Sequence, residues 1–360
     1  MFNVEGLSDT SIIFLVLPKD PRDSSERYDP PTDYIHCGRS FGRFFFSHRN
    51  SYLQPPSAVV DYAKVTEWLL FCENHHSKLC RTPTLPQLPS FQVIDCQSRT
   101  VVPWIYEDAG NVFLTLSYVW GTANVDSLSA DGALPTLLPA VIEDSISVTL
   151  RLGYRYLWVD RYCIPQTDEA AKAVQIGNMN MIFKHSELTL IAASGKDPSY
   201  GLPGVNGNPR RTYPSVTVED QTFYPFLSNA AHEITHSLWN TRGWTYQEAL
   251  LSRRCLMFTD SQVFFQCRGM HCQESISIPL DILHRPEKQK VRGSILTVPK
   301  TFASDDPGTQ PTPFENVVND YARRSLTYET DALNAFQGVL RALAMPTGSG
   351  PKPVHNFFGI

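Results

Sequence analysis

Hydrophobic and polar positions alternate in two different ways along the chain, and the change falls near residue 112. Before it, four apolar positions recur at helical spacing: Val65, Trp68, Leu69 and Cys72. This spacing predicts a helix, which the Pro-rich segment 82–90 must end. The segment 91–104 then has two short apolar runs around a polar turn, a pattern that predicts a β-hairpin.

Beyond residue 112, short apolar strands are separated by longer amphipathic stretches, which is typical of βαβ units on a parallel sheet. The predicted strands are 112–118, 156–160, 188–193, 254–259 and 262–267. The predicted helices are one that follows Pro139 and stops at Gly153, one over 169–185 capped by Thr167 or Asp168, one over 239–251 and one over 314–343. In the second of these helices, Val174, Met181 and Ile182 should face inward. The chain is therefore expected to have an α/β fold.

Composition and charge narrow the range of functions expected for this chain. The chain has 31 Lys and Arg against 36 Asp and Glu, and no basic cluster of the kind that nucleic-acid binding requires. The longest apolar run near the N-terminus, 12–17, is too short to span a membrane, and no basic residues precede it as in a signal peptide. We expect a cytoplasmic protein with no membrane span. Its eight Cys residues are irregularly spaced and are expected to be reduced thiols.

Three polar segments follow the predicted strands or begin a helix: 117–121 (SYVWG), 160–166 (DRYCIPQ) and 242–248 (RGWTYQE). In doubly wound sheets, ligands bind outside the carboxyl ends of the strands. The sequence therefore predicts that Ser, Asp, Gln, Trp and Glu side chains gather at one edge of the sheet.

The motifs LSYVWG, YLWVDRYCIPQ, RGWTYQEALLSRR and YARRSLTYETDALNAFQGVL stand in the order seen in fungal heterokaryon-incompatibility (HET) domains. The resemblance covers roughly residues 60–343. It implies an N-terminal extension (1–60), a helix and hairpin leading into the core (61–111), a HET core (112–275), and a loop with a C-terminal helical part (276–360). The final HNFFGI looks like the middle of a family segment, so we expect a truncated C-terminus.

HET domains are regarded as distant relatives of Toll/interleukin-receptor (TIR) domains, so the resemblance implies a TIR-like (flavodoxin-like) parallel sheet flanked by helices. It also implies a role in fungal non-self recognition and regulated cell death. Many TIR domains cleave NAD+ with a glutamate in a Trp-x-x-x-Glu context, and Trp244 and Glu248 have that spacing. NAD+ would be a substrate rather than a cofactor. The resemblance further implies self-association on activation and an unidentified incompatibility partner.

By this resemblance Glu248 is the catalytic residue, and Trp244 positions its helix. The implied substrate-binding residues are Ser117, Tyr118, Trp120, Gly121, Asp160, Arg161, Gln166 and Trp244. Most of these residues have an ordinary alternative: Glu248 as a surface residue paired with Arg253 or Arg254, Trp244 as a core residue, Ser117 and Gly121 as turn residues, and the 160–166 loop as a helix-capping loop. At the level of function, the alternative is a non-enzymatic, self-associating death-signalling module.

Metal chemistry is the remaining hypothesis. Residues 232–236 (HEITH) match the zinc metalloprotease helix motif. Trp239 and Arg242, however, stand where metzincins have Gly and His, and the nearest acid that could serve as a third ligand is Glu248. The zinc protease therefore remains a remote alternative.

Two Cys- and His-containing groups are further metal candidates: Cys72/His76/Cys80 and Cys267/His271/Cys272. On a straight helix, Cys72 and Cys80 would lie about 12 Å apart, too far to share a metal. The second group has no fourth ligand in view, so we expect no metal site. Cys163 is expected to be a packed thiol rather than a nucleophile, because no His lies near it in the sequence.

Overall fold

The computed structural model describes residues 56–106, 110–121, 128–212, 230–277, 279–291 and 314–344, together with three backbone strands at 44–46, 216–218 and 221–225. Most of the N-terminal extension expected over 1–60, and residues 345–360, lie outside the described residues. None of the described helices is long and apolar enough to cross a membrane.

The described residues form helices and strands, and the strands are numbered in chain order. They are β1 (Phe44–Phe46), β2 (Gln92–Asp95), β3 (Thr100–Pro103), β4 (Phe113–Ser117), β5 (Tyr156–Trp158), β6 (Leu188–Ala192), β7 (Val216–Val218), β8 (Gln221–Pro225), β9 (Arg254–Phe258), β10 (Val263–Cys267), β11 (His271–Gln273), β12 (His284–Arg285) and β13 (Lys290–Val291).

The α-helices are α1 (Tyr62–His75), α2 (Ser77–Cys80), α3 (Ala140–Arg151), α4 (Asp160–Cys163), α5 (Glu169–Gly177), α6 (Met179–His185), α7 (Ala230–Thr235), α8 (Gly243–Leu251), α9 (Leu280–Leu283), α10 (Phe314–Ala322) and α11 (Ala332–Ala344). Short 3-10 helices lie at Pro198–Tyr200, Trp239–Thr241 and Glu329–Asp331.

Eight strands form one central sheet in the order β11-β10-β9-β6-β4-β5-β2-β3. The four middle strands are parallel: β4 pairs with β5 and β6, and β6 pairs with β9. Antiparallel strands complete the sheet, with the β2–β3 hairpin beside β5 and the β10–β11 pair beside β9. The fold is thus α/β with a mostly parallel sheet flanked by helices, and the predicted hairpin over 91–104 is confirmed.

Three of the four parallel strands are buried along their whole length because helices cover the sheet, and in β5 only Tyr156 is partly exposed. Every residue of β4, β6 and β9 is buried. Across the sheet, the four parallel strands stand in the order β5, β4, β6, β9. If they are numbered by their order in the chain, this is the order 2-1-3-4. The carboxyl ends of β4, β5 and β6 are therefore neighbours at one edge.

Most predicted elements are confirmed, and the exceptions have local causes. The helix after Pro139 buries Ile142, Ile146 and Thr149 as expected and ends before Gly153, whose φ is +82°. The helix predicted over 169–185 is two helices, because the chain breaks at Gly177 and Asn178. Two other predicted helices are also interrupted: a 3-10 turn precedes α8, and a further 3-10 turn separates α10 from α11.

Two expectations for side chains in these helices are wrong. Val174 was expected to face inward but is 41% exposed, while the buried residue on α5 is Gln175, whose Nε2 donates to the carbonyl of Pro89 at 2.5 Å. The assumption of one straight helix from Cys72 to Cys80 is wrong as well. Helix α1 ends at His75, and α2 begins at Ser77 after a turn at His76.

A buried ion pair fixes the start of the described chain against the sheet. Arg210 and Glu274 approach to 2.8 Å with their side chains 3% and 2% exposed. The Glu274 carboxylate also accepts hydrogen bonds from the backbone N–H groups of Asp61 and Val263. The Arg210 guanidinium donates to the carbonyl of Ser57. This network holds the N-terminal cap of α1 against the β10–β11 end of the sheet.

Candidate active site

Glu248 lies on α8, directly above the carboxyl end of the central strand β4. Its side chain is buried, and the residue is only 6% exposed. Ser117, the last residue of β4, donates a hydrogen bond from Oγ to Glu248 Oε2. The indole Nε1 of Trp239 donates to Ser117 Oγ at 2.8 Å. The structure thus brings Ser117 and Glu248 together, although 131 residues separate them in the sequence.

The alternative of a surface glutamate paired with a neighbouring arginine is wrong. Arg254 pairs instead with Glu187 at 2.5 Å, and Arg253 donates to the backbone carbonyls of Lys184 and Leu79. Glu248 is therefore a buried acid, and among the described residues its carboxyl group is hydrogen-bonded to Ser117.

Burial raises the pKa of Glu248 to about 8, because a carboxylate loses solvation in the interior. The hydrogen bond from Ser117 opposes this rise, the negative charge of Asp160 adds to it, and the positive charge of Arg242 opposes it. At neutral pH the Glu248 carboxyl is mostly protonated in this state of the protein.

Asp160 and Trp120 form a second pair at the same edge of the sheet. Asp160 begins α4 just after β5, and its Oδ2 accepts from the indole Nε1 of Trp120 at 2.6 Å. Its Oδ1 accepts from the backbone N–H of Arg161 at 2.7 Å, and the Arg161 guanidinium lies 4.9 Å from the centre of the Trp120 ring. Burial raises the pKa of Asp160 to about 6 against the lowering effect of the Trp120 hydrogen bond.

The loop after β4 packs closely against the loop after β6. Gly121 has a φ of +67°, and a Cβ there would lie 2.9 Å from Pro198 Cδ and 3.1 Å from Asp197 Cβ. Only glycine combines this backbone conformation with such a close approach. Tyr118 in the same loop is buried, and its carbonyl accepts from Arg242 Nη1 at 3.4 Å.

The polar groups of Gln166 and Trp244 are directed elsewhere. Gln166 is exposed, and its Nε2 donates to carbonyls of its own loop, including that of Ile164 at 3.0 Å. This arrangement agrees with the helix-capping alternative for that residue. Trp244 is half-buried, and its Nε1 donates to Asp331 Oδ2 at 3.4 Å. Trp244 therefore joins α8 to the C-terminal helices.

A chain of buried hydroxyl groups fixes α8 over the sheet. Thr115 on β4 and Thr189 on β6 share a hydrogen bond of 2.8 Å, and Thr189 and Ser252 share one of 2.6 Å. Ser252 Oγ then donates to the carbonyl of Glu248 at 2.6 Å. The backbone of Glu248 is thus tied through side chains to the two strands whose ends form the site.

The C-terminal helices hold α8 from the other direction. Tyr246 on α8 packs with Tyr321 and Phe336 in an aromatic cluster. The backbone N–H of Gly243 donates to the carbonyl of Ser325 at 2.8 Å. The position of Glu248 therefore depends on α10 and α11 as well as on the sheet.

Sequence reasoning missed Trp239 and Arg242 as site residues. Trp239 is fully buried and donates to Ser117, and Arg242 acts electrostatically on both Asp160 and Glu248. Both lie in or next to the RGWTYQE segment, and this position was the sequence feature that could have identified them as site residues. A lone tryptophan, however, is more often a core residue than a hydrogen-bond donor to a site.

The HEITH segment does not assemble a metal site among the described residues. His232 and His236 are exposed, and their rings stack with centroids 4.0 Å apart. Glu233 accepts a hydrogen bond from Ser261 Oγ at 3.0 Å. Within the part of the chain that the structure describes, the group of Cys, His and acidic residues close enough to share an ion lies elsewhere, at Cys72, His76, Cys80 and Cys267.

Cys163 is fully buried, as expected for a packed thiol, and burial raises its pKa to about 12. Its Sγ accepts from the backbone N–H of Val159 at 3.3 Å. A thiol of such high pKa is a poor nucleophile.

The fold and the site together define an α/β protein with a buried glutamate, Glu248, and a half-buried aspartate, Asp160, near the carboxyl ends of its parallel strands. Residues 113–248 match the family model described as Heterokaryon incompatibility protein (HET). The chain therefore contains a HET domain, and this suggests a role in heterokaryon incompatibility and cell death. The match begins at the first residue of β4 and ends at Glu248, so it is narrower than the 60–343 expected from the motifs. Comparisons with curated proteins and with solved structures found no significant match.

Proposed function

We propose that this HET-domain chain acts in fungal non-self recognition and regulated cell death by hydrolysing NAD+ at the nicotinamide glycosidic bond. Glu248 is the catalytic carboxylate, and the enzyme works in an assembled state. The order of the four parallel strands supports a TIR-like (flavodoxin-like) fold, because flavodoxin-like sheets begin with the same order. In such sheets the ligand binds where the strand order reverses, and here that point lies between β4 and β6.

The observation that carries the proposal is the buried carboxyl of Glu248 beside the end of β4. Burial holds the pKa of this carboxyl at about 8, so the group lacks strong stabilisation of its charge in the absence of substrate. NAD+ brings a cationic pyridinium ring. A positive charge within about 4–6 Å lowers the pKa of a carboxyl by about 1–3 units, so bound substrate favours the ionised form of Glu248.

Ionised Glu248 holds the ribose hydroxyls and stabilises the oxocarbenium-like transition state. The bond between the anomeric carbon and the pyridinium nitrogen breaks, and its electron pair leaves with neutral nicotinamide. Water then adds to the anomeric carbon and releases one proton, giving ADP-ribose. Because the leaving group needs no proton, a single carboxylate suffices.

The other residues of the site shape the pocket in this proposal. Ser117 and Trp239 orient the Glu248 carboxyl through the hydrogen bonds described above. Trp120, Asp160 and Gly121 line the nicotinamide and ribose site. Arg161 lies at the border of this nicotinamide and ribose site, and Tyr118 packs beneath it. Trp244 positions α8, and Gln166 holds the loop after α4 through its hydrogen bonds to that loop.

The test is nicotinamide release from NAD+ by the full chain, both dilute and at concentrations that drive assembly. Glu248→Gln should lower the rate at least about 100-fold, because it removes a charge that acts in the transition state. Glu233→Gln is the matched control, since Glu233 also accepts a hydrogen bond from a serine hydroxyl, and it should release nicotinamide at the wild-type rate. Equal rates in wild type and Glu248→Gln would refute the proposal.

The alternative is a death-signalling module that self-associates without catalysis. The buried hydrogen bonds around Ser117 would then serve packing alone. In that case Glu248→Gln leaves cell killing and assembly unchanged, and folded wild-type protein releases no nicotinamide in either state. His232→Ala tests the zinc protease separately, because this substitution removes a ligand of the HEITH motif.

A further inference from the structure

Four buried side chains with metal-binding atoms meet in a group that shares no residue with the site around Glu248. They come from the end of α1, from α2 and from the last residue of β10, and we call them the cysteine–histidine cluster: Cys72, His76, Cys80 and Cys267. Their ligand atoms all lie within 4.8 Å of one another. The exposed fractions are 0% for the first three residues and 7% for Cys267.

A break in the helix brings the first three ligands together. The backbone N–H of His76 still bonds to the carbonyl of Cys72 at 2.9 Å, but His76 leaves the helical conformation with φ −116° and ψ 29°. The new helix α2 then starts, and the N–H of Cys80 bonds to the carbonyl of His76 at 2.7 Å. The expected separation of about 12 Å between Cys72 and Cys80 therefore does not occur.

The fourth ligand comes from the other side of the HET match. Cys267 Sγ lies 3.3 Å from His76 Nδ1, although 191 residues separate them. A tetrahedral zinc ion with Zn–S of about 2.3 Å and Zn–N of about 2.0 Å places its ligand atoms about 3.5–3.8 Å apart. The cluster is thus within about 1 Å of that geometry, a difference that small side-chain rotations close.

The surroundings suit thiolate ligands. Arg254 Nε donates to Cys72 Sγ at 3.2 Å, and the backbone N–H of Gly269 donates to Cys267 Sγ at 3.3 Å. Such donors stabilise metal-bound sulfur from the second shell of ligands. The ring of His76 is fully buried, and Nδ1 is the ring nitrogen that lies beside Cys267 Sγ.

We propose that the cysteine–histidine cluster binds one zinc ion in a closed, tetrahedral, structural site. Three sulfur ligands and one imidazole form a set that zinc prefers, and four protein ligands leave no open position for catalysis. Three ligands precede residues 113–248 and one follows them. The ion therefore clamps the two segments that flank the HET match, and it fixes α1 and α2 against the end of β10.

The first experiment measures metal in the full chain, purified without a histidine tag and without chelators, by inductively coupled plasma mass spectrometry. We expect about one zinc per chain, as for other structural Cys3His sites. Passage over a chelating resin should leave wild type loaded and strip Cys80→Ser and Cys267→Ser. Cys255→Ser is the matched control, because Cys255 is also buried but lies on β9 outside the cluster, and it should keep its zinc.

A second measurement does not depend on the variants folding. Reduced, metal-depleted wild-type protein titrated with Co2+ should develop the sulfur-to-cobalt charge-transfer band and the intense visible bands of tetrahedral cobalt, saturating at one equivalent. Zinc added afterwards should abolish these bands. Folded wild-type protein that carries no zinc and shows no cobalt bands would overturn the proposal. Zinc retained at one per chain in both ligand variants would overturn it as well.

Discussion

Glu248 should make the stability of this protein depend on pH in an unusual direction. Its pKa is raised from 4.5 to about 8 by burial in the folded state. Between these pH values, the native state binds more protons at this site than the unfolded state does. The free energy of unfolding therefore falls as pH rises through this window.

The size of the effect follows from the pKa difference. At about 1.36 kcal/mol per pKa unit, a rise from 4.5 to about 8 corresponds to a contribution of about 5 kcal/mol. This contribution is fully present below pH 4.5 and lost above pH 8. Glu248→Gln has nearly the shape of the protonated acid and does not titrate. Relative to wild type, this variant should therefore gain up to about 5 kcal/mol of stability between these limits.

The assay is urea unfolding followed by circular dichroism, at a series of pH values between 5 and 9, for wild type and Glu248→Gln. The difference between the two proteins cancels most other titrating groups. Ser117→Ala provides a second check, because its hydroxyl lowers the pKa of Glu248, so its loss should move the transition to higher pH. A difference that stays constant over the series, or one in which wild type gains stability as pH rises, would refute the reasoning.

Three further outcomes are expected from the same structure. Asp160→Asn removes a negative charge that raises the pKa of Glu248, so the transition in the unfolding series should move to lower pH; an unchanged transition would contradict the electrostatic coupling. Gly121→Ala should cost at least about 1–2 kcal/mol in urea unfolding, because of its positive φ and the close contact of the new methyl group. Glu274→Gln leaves Arg210 buried without its counter-charge and should cost about 3–5 kcal/mol in the same assay; a loss below about 1 kcal/mol would show that the pair behaves like a surface ion pair.

The parallel strands could be predicted because their apolar runs are short, nearly continuous and bounded by turn residues. The breaks within the predicted helices could not be predicted from the sequence. Periodicity continues through Gly177 and Asn178, and nothing near His76 is a strong helix breaker, yet a helix ends at both places. Local patterns do not contain the packing energy that decides such breaks.

The residues of the candidate site could be named from the sequence, but their environment could not. The positions of Ser117 and Glu248 followed from motif and strand order, whereas the burial of Glu248 could not be deduced, because most glutamates are exposed. The role of Trp239 was missed for a similar reason. The Cys72/His76/Cys80 group was rejected from sequence because a straight helix would hold Cys72 and Cys80 about 12 Å apart. The structure breaks that helix and adds Cys267, which the sequence had placed in a different group.

The central claim is that Glu248 cleaves NAD+, and its most direct test is the pH profile of nicotinamide release. Wild type and Glu248→Gln would be compared from pH 6 to 9 in the assembled state. The account predicts that kcat/KM of wild type rises as pH passes about 8, since the ionised form acts, and that the variant shows no such rise. Folded, assembled wild-type protein that releases no nicotinamide at any pH would contradict the claim.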